Sequence, residues 1–221
     1  MGGYQFQWHV LNEHMPALLL GAWTDVWVSL VGFVLACLLG LVFALGRLSG
    51  IRIFSLLSVA YINAARAIPP YVLLLWIHFG VARLLGTGFQ PLHSIIAVLA
   101  LTGAGYAAEV FRAGIAAIDQ GQFEASKSLG MGRFRTYTDV IIPQSLGIVI
   151  APLGNVMIGL LKSATLMGVI AVPDLLHEAQ TLNMNSFVPF EAFTAVLFIF
   201  VSIVFAISLF VLAIERAVAH P

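Results

Sequence analysis

The sequence predicts an all-helical membrane protein with five transmembrane helices, and three observations carry that expectation. Of 221 residues, 61% are hydrophobic and only 9% are charged, whereas soluble chains average roughly 25% charged. The apolar residues fall into five runs, each of about twenty residues or more, the length a helix needs to cross a bilayer. The strongest clusters of Lys and Arg lie between or beside those runs, where ionised groups avoid the cost of the bilayer centre.

The runs are taken in chain order. Residues 1–23 lack Lys and Arg and so lack the positive region of a signal peptide; they are expected to be a retained extracytoplasmic segment. The five spans are expected at 24–45, 56–79, 93–112, 146–172 and 192–214, with a cytoplasmic tail at 216–221. An odd number of spans places the termini on opposite sides. With the N-terminus outside and the C-terminus inside, Arg47, Arg52, Arg112, Lys127, Arg133, Arg135 and Arg216 fall in or beside cytoplasmic segments. Only Arg83 is left outside, so the positive-inside rule selects this orientation. Trp8, Trp23, Trp27 and Trp76 then fall near the outer interface, where amphipathic rings are favoured. Gly32, Gly40, Gly103, Gly105, Gly154 and Gly159 are expected to let helix backbones approach closely.

The second span carries Arg66 near its middle, followed by Pro69-Pro70, which remove backbone donors and break or kink the helix. An ionisable residue beside a broken helix marks a transport path. Glu109 in the third span is the alternative, structural partner for Arg66. Lys162 in the fourth span, with the Ser163 and Thr165 hydroxyls, completes the intramembrane polar set; its alternative role is snorkelling or a helix-to-helix hydrogen bond. Asn155 reads as interhelical glue, and Asp174, Glu178 and Glu191 as solvated loop residues, with an extracytoplasmic partner-facing role as the alternative.

Between the third and fourth spans lies a charged island, 119–143. Asp119 and Gln122 have capping-box spacing, so a short helix starts there and runs to Leu129, with Gly130 as its left-handed stop. A second helix from Arg133 is expected to carry Phe134, Tyr137 and Ile141 on one face before meeting Pro143. The island therefore reads as a rigid helix-turn-helix outside the bilayer.

Glu124-Ala125-Ser126, then Gly130, then Val140-Ile141-Ile142-Pro143 resembles the signature of membrane subunits of ATP-binding cassette importers, with conservative changes at Ser126, Val140 and Ile142. AAEVFRAGIAAIDQGQFEA, PLGNVMIGLLK and VIAVPDLLHEAQ are similar to the polar amino acid permeases, the histidine, glutamine, arginine and opine group. That resemblance covers about Gly21 to Glu215 and implies a transmembrane domain at 24–215 of the type I importer permease core. It implies a coupling helix built on Glu124, Ala125, Ser126, Gly130 and Pro143 that docks on an ATPase. The implied partners are two ATP-binding subunits, a second permease subunit, identical or paralogous, and an extracytoplasmic solute-binding protein. Arg-Ala-Ile-Pro at Arg66 and Lys-Ser-Ala-Thr at Lys162 resemble family patterns with fewer polar groups, and the implied substrate is a small zwitterion. Arg66, Glu109, Lys162, Ser163 and Thr165 are the expected path, with Arg66 or Lys162 on the substrate carboxylate.

No catalytic or cofactor role is expected. The only lysines, Lys127 and Lys162, follow Ser126 and Leu161, so neither completes a phosphate-binding loop, and ATP must be bound by partner subunits. Six scattered histidines and the single Cys37 offer no metal-ligand spacing. A net charge of zero gives no surface for nucleic acid. The expected function is import of a polar amino acid or derivative across the inner membrane by alternating access. An opine or compatible solute on the same machinery is the near alternative, and a passive channel or membrane enzyme the distant one.

Overall fold

The computed structural model describes residues 4–219; Met1 to Gly3, His220 and Pro221 lie outside the described residues, and with them the start of the N-terminal segment and the end of the expected tail. The described residues hold helices and no strand. Four helices are long and apolar enough to span a membrane, and five spans result when one bent pair is counted as a single crossing.

The elements are α1 (Trp8–Leu48), α2 (Arg52–Ala67), α3 (Pro70–Leu75) with a π turn and α4 (Ala82–Leu84), α5 (Pro91–Ala116), α6 (Gln120–Ser128), α7 (Arg133–Arg135), a π turn (Thr136–Ile141), α8 (Ile142–Ala164), α9 (Leu175–Ser186) and α10 (Pro189–Ala219). The chain forms two compact units. One comprises 70–99, 159–206 and the chain up to Gly32; the other comprises 33–69, 100–158 and the chain from Ile207.

The first unit is built on the N-terminal half of α1, which differs from expectation. Helix begins at Trp8 rather than at the start of the apolar run. Leu11, Leu18 and Ala22 lie on one face of it and pack against Leu175, Ala179 and Leu182 of α9, Val188 just before α10, and Ala192 and Ala195 of α10. Those partners lie far along the chain, so tertiary packing extends a helix that local polarity would have ended. Between Trp8 and Trp27 the helical rise is about 28 Å.

The segment between α8 and α10 is not a solvated loop. α8 ends at Ala164, short of the expected 172, and Ala171 takes a left-handed conformation at φ 60°. Asp174 caps α9 by accepting from the His177 amide at 2.7 Å and ties back the preceding turn by accepting from Gly168 at 2.8 Å. It is fully buried. Burial pushes its carboxyl above the ordinary carboxylate range, and these amide bonds offset part of that push. Glu191, also fully buried, accepts from the Tyr4 hydroxyl and from the Gln7 amide, so the segment before α1 is latched to the start of α10.

The second unit is a close-packed helix cluster. Added Cβ atoms would lie 2.8 Å from Ala107 Cβ at Gly40, 2.8 Å from Ala65 Cβ at Gly105 and 2.7 Å from Val211 at Gly154, so these glycines do admit a neighbouring helix. Gly159, expected to do the same, meets nothing within 4 Å. The Phe43 and Tyr61 rings stack at 3.8 Å, and the Tyr61 hydroxyl donates to the Leu101 carbonyl at 2.8 Å, tying α2 to α1 and α5.

Candidate functional site

The island of the second unit is a helix-turn-helix whose ends are both chemically fixed. Asp119 accepts from the Gly121 amide at 2.7 Å and starts α6. The reciprocal half of the expected capping box is missing, because the Gln122 side-chain oxygen instead accepts from Gln144 at 3.1 Å and so ties α6 to α8. At the other end Gly130 sits at φ 72°; its amide donates to the Lys127 carbonyl and the Met131 amide to the Ser126 carbonyl, both at 3.0 Å. That pair of bonds is the Schellman stop, which needs a left-handed residue where Gly130 stands.

One face of α6 points inward. Phe123 meets the Tyr137 ring edge-on at 6.0 Å beside buried Ile115, Ile118 and Ile141. Ser126 is buried, with its hydroxyl bonded to the Gln122 carbonyl at 2.7 Å. Glu124, Ala125, Lys127, Ser128 and Gly130 are exposed on the other side. Leu129 and Phe134, each 81% exposed, stand at either side of the turn. Phe134 therefore does not share the buried face of Tyr137 and Ile141 as expected. The intervening π turn from Thr136 is wider than an α-turn and breaks the three-and-four spacing. The same loosened ladder sits directly before Pro143, which has no amide hydrogen to donate, so α8 accepts an exposed proline in its first turn.

Arg66 lies in the last turn of α2 with its guanidinium 5.6 Å above the Tyr106 ring. Ile68, forced away from helical angles by the following proline, is extended at φ −81° and ψ 124°, so α2 ends at Ala67 and helix resumes only at Pro70. The break expected at Pro69-Pro70 is thus present, with Arg66 exposed beside it. Glu109 is not its partner. Its two oxygens accept from Arg47 and, at 2.9 Å, from Arg112.

In the first unit Lys162 is exposed at the end of α8, and no ion pair among the described residues reaches it. The Ser163 hydroxyl donates to the Gly159 carbonyl at 3.1 Å and Thr165 to the Lys162 carbonyl at 2.8 Å, so both are satisfied within their own turn. Asn155 is exposed. Nothing in the sequence signals Tyr106 or a paired role for Arg47, since both depend on partners far along the chain, nor the exposure of Leu129 and Phe134 at the turn. The Glu109–Arg112 pair has the three-residue spacing of a helical ion pair and was readable. Among the described residues no three His, Cys, Asp or Glu gather as a metal site.

A family model described as "Binding-protein-dependent transport system inner membrane component" matches residues 32–220. The chain is 29% identical to the probable amino-acid ABC transporter permease protein YckA of Bacillus subtilis, over 98% of this chain and 96% of that one. It is 32% identical to the probable amino-acid ABC transporter permease protein y4tG of Sinorhizobium fredii, over 83% of this chain and 82% of the other. Among solved structures, a crystal structure of an amino acid ABC transporter with histidines superposes with a TM-score of 0.90 at 28% identity, covering 97% of this chain and all of that one.

Proposed function

The chain belongs to the binding-protein-dependent transport system inner membrane components, and from that membership we propose that it imports a polar amino acid or amino-acid derivative by alternating access. It is a multi-pass inner-membrane transport subunit, not an enzyme, and such subunits work with ATP-binding subunits and a substrate-binding protein. The observation that carries the proposal is the α6 hairpin. It is short, capped at both ends and pinned to α8, and it presents Glu124 to Gly130 to solvent. A rigid element of that kind converts closure of a partner into rigid-body movement of the helices that hold it.

In this reading the N-terminus is extracytoplasmic, residues 24–215 form the transmembrane domain, one of two ATP-binding subunits sits on the island, and a second permease subunit, identical or paralogous, completes the pore. The chain itself binds no ATP. Amino-acid selectivity is supported by the names of its relatives, and the ligand of the associated binding protein separates an amino acid from an opine or a compatible solute. Tagged protein purified from its own membranes is expected to bring down a subunit carrying Walker motifs and, in proteoliposomes, to accumulate substrate only with ATP on the subunit side. Downhill flux without that partner would instead make it a channel.

Arg66, the cation beside the broken helix, or Lys162, which no ion pair among the described residues reaches, is proposed to hold the substrate carboxylate, with Ser163 and Thr165 beside Lys162; Glu109, held by Arg47 and Arg112, is left off that path. A zwitterion leaving water needs compensating charge, and a charge-assisted bond contributes about 1.5–3 kcal/mol. Arg66→Ala or Lys162→Ala is therefore expected to lower uptake at limiting substrate by roughly ten- to a hundredfold. Unchanged kinetics in both, at normal expression, would remove these residues from the path.

A further inference from the structure

The ion cluster at Glu109 is unbalanced. Arg47 donates Nη1 to Oε1 and Arg112 donates Nε to Oε2, so one carboxylate serves two guanidinium groups and the trio keeps one positive charge. Each guanidinium has five N–H donors in a planar fork. Among the described residues no other acceptor reaches either one, which leaves Nε and Nη2 of Arg47 and both terminal nitrogens of Arg112 without protein partners. The side chains are 30% and 32% exposed, so the cluster is neither sealed in the core nor free in water.

Its position supplies the rest. Arg47 stands in the last turn of α1, directly after the apolar run, and Arg112 lies about one turn before the end of α5 at Ala116. For a spanning helix that level is the headgroup region, where phosphate is the abundant anion. A planar fork with spare donors matches phosphate oxygens bidentately. We infer that Arg47 and Arg112, oriented by Glu109, bind the phosphate of an anionic phospholipid where α1 and α5 leave the bilayer. Glu109 is a positioning residue here: it holds the two forks side by side and competes with the lipid for their donors. The inference does not depend on which leaflet the cluster faces or on the identity of the transported solute.

The test uses the full-length chain, with whatever subunits co-purify, in a neutral maltoside detergent. Phosphatidylglycerol, phosphatidylcholine and inorganic phosphate are titrated separately, with thermal unfolding and native mass spectrometry as readouts. Phosphatidylglycerol is expected to raise the unfolding temperature and to persist as an adduct, while the other two do neither. Arg112→Gln is expected to weaken phosphatidylglycerol binding about fivefold, with Arg112→Lys in between because it keeps charge and loses the fork. Glu109→Gln keeps an acceptor oxygen to hold the forks and removes the competing charge, so it is expected to strengthen binding. Equal effects of both lipids, unchanged binding in Arg112→Gln and Arg47→Gln, or weaker binding in Glu109→Gln would overturn the inference. Equal protection by inorganic phosphate would also overturn it, by assigning the site to a soluble anion.

Discussion

Gly21→Ala is expected to destabilise the protein by on the order of 3 kcal/mol, from overpacking plus displaced hydrogen bonds. A Cβ at Gly21 would lie 2.7 Å from the Asp174 carbonyl carbon, 2.7 Å from the Leu175 nitrogen and 2.8 Å from the Asp174 oxygen. All three are backbone atoms at the first turn of α9, and that turn is held from several sides. Asp174 bonds the amides of His177 and Gly168, and the Leu175 amide donates to Asp25 at 3.2 Å. Retreat of α9 to admit a methyl group would break such bonds among fully buried carboxylates, whose charge then lacks donors. Gly159→Ala supplies the contrast. Nothing lies within 4 Å of its missing side chain, and it sits inside α8, where alanine favours helix by about 1 kcal/mol. The measurement is the fraction of monodisperse protein surviving a heating series in detergent. Gly21→Ala is expected to lose it well below the parent and Gly159→Ala is not; equal survival of Gly21→Ala would mean that the α1–α9 contact is looser than described.

That contrast shows what a single sequence carries and what it withholds. Long apolar runs declare spans because lipid demands them, and the paired prolines after Ile68 declare a break because their missing donors cannot be replaced within the helix. Asp119 and Gly130 were legible for the same local reason: caps act within four residues of themselves. Which glycine touches a backbone was not legible, since Gly159 reads like Gly40 until the neighbours are known. The start of α1 at Trp8 was hidden because its packing partners lie on α9 and α10. Phe134 was misplaced because spacing arguments assume an α-turn and the chain inserts a wider one at Thr136. Glu109 was offered to Arg66 because nothing local announces Arg47, 62 residues away. Local chemistry was readable, and pairings made by the fold were not.

Gly130→Val is expected to reduce ATP-driven uptake at least tenfold while leaving the protein folded, at a cost of about 1–2 kcal/mol. The two effects separate because of where the glycine stands. Nothing lies within 4 Å of its missing side chain, so valine meets no clash, and the cost is the left-handed backbone at φ 72°, about 1–2 kcal/mol for an L residue. The chain can relieve that strain only by giving up the bonds from Gly130 to Lys127 and from Met131 to Ser126. Relief therefore unwinds the end of α6 and swings Leu129 and Phe134 away from Glu124 and Ala125, which misaligns the surface offered to the ATP-binding subunit. Gly130→Asn isolates the cause, because asparagine tolerates left-handed angles and keeps the turn while adding a side chain of similar size. Co-purified ATPase and uptake are expected to fall in the valine protein and to persist in the asparagine protein. Normal assembly and uptake with valine would end the proposal that this turn transmits ATP hydrolysis. Equal failure of both variants would transfer the requirement from the geometry of the turn to the space outside it, where a partner atom would have to sit against Gly130.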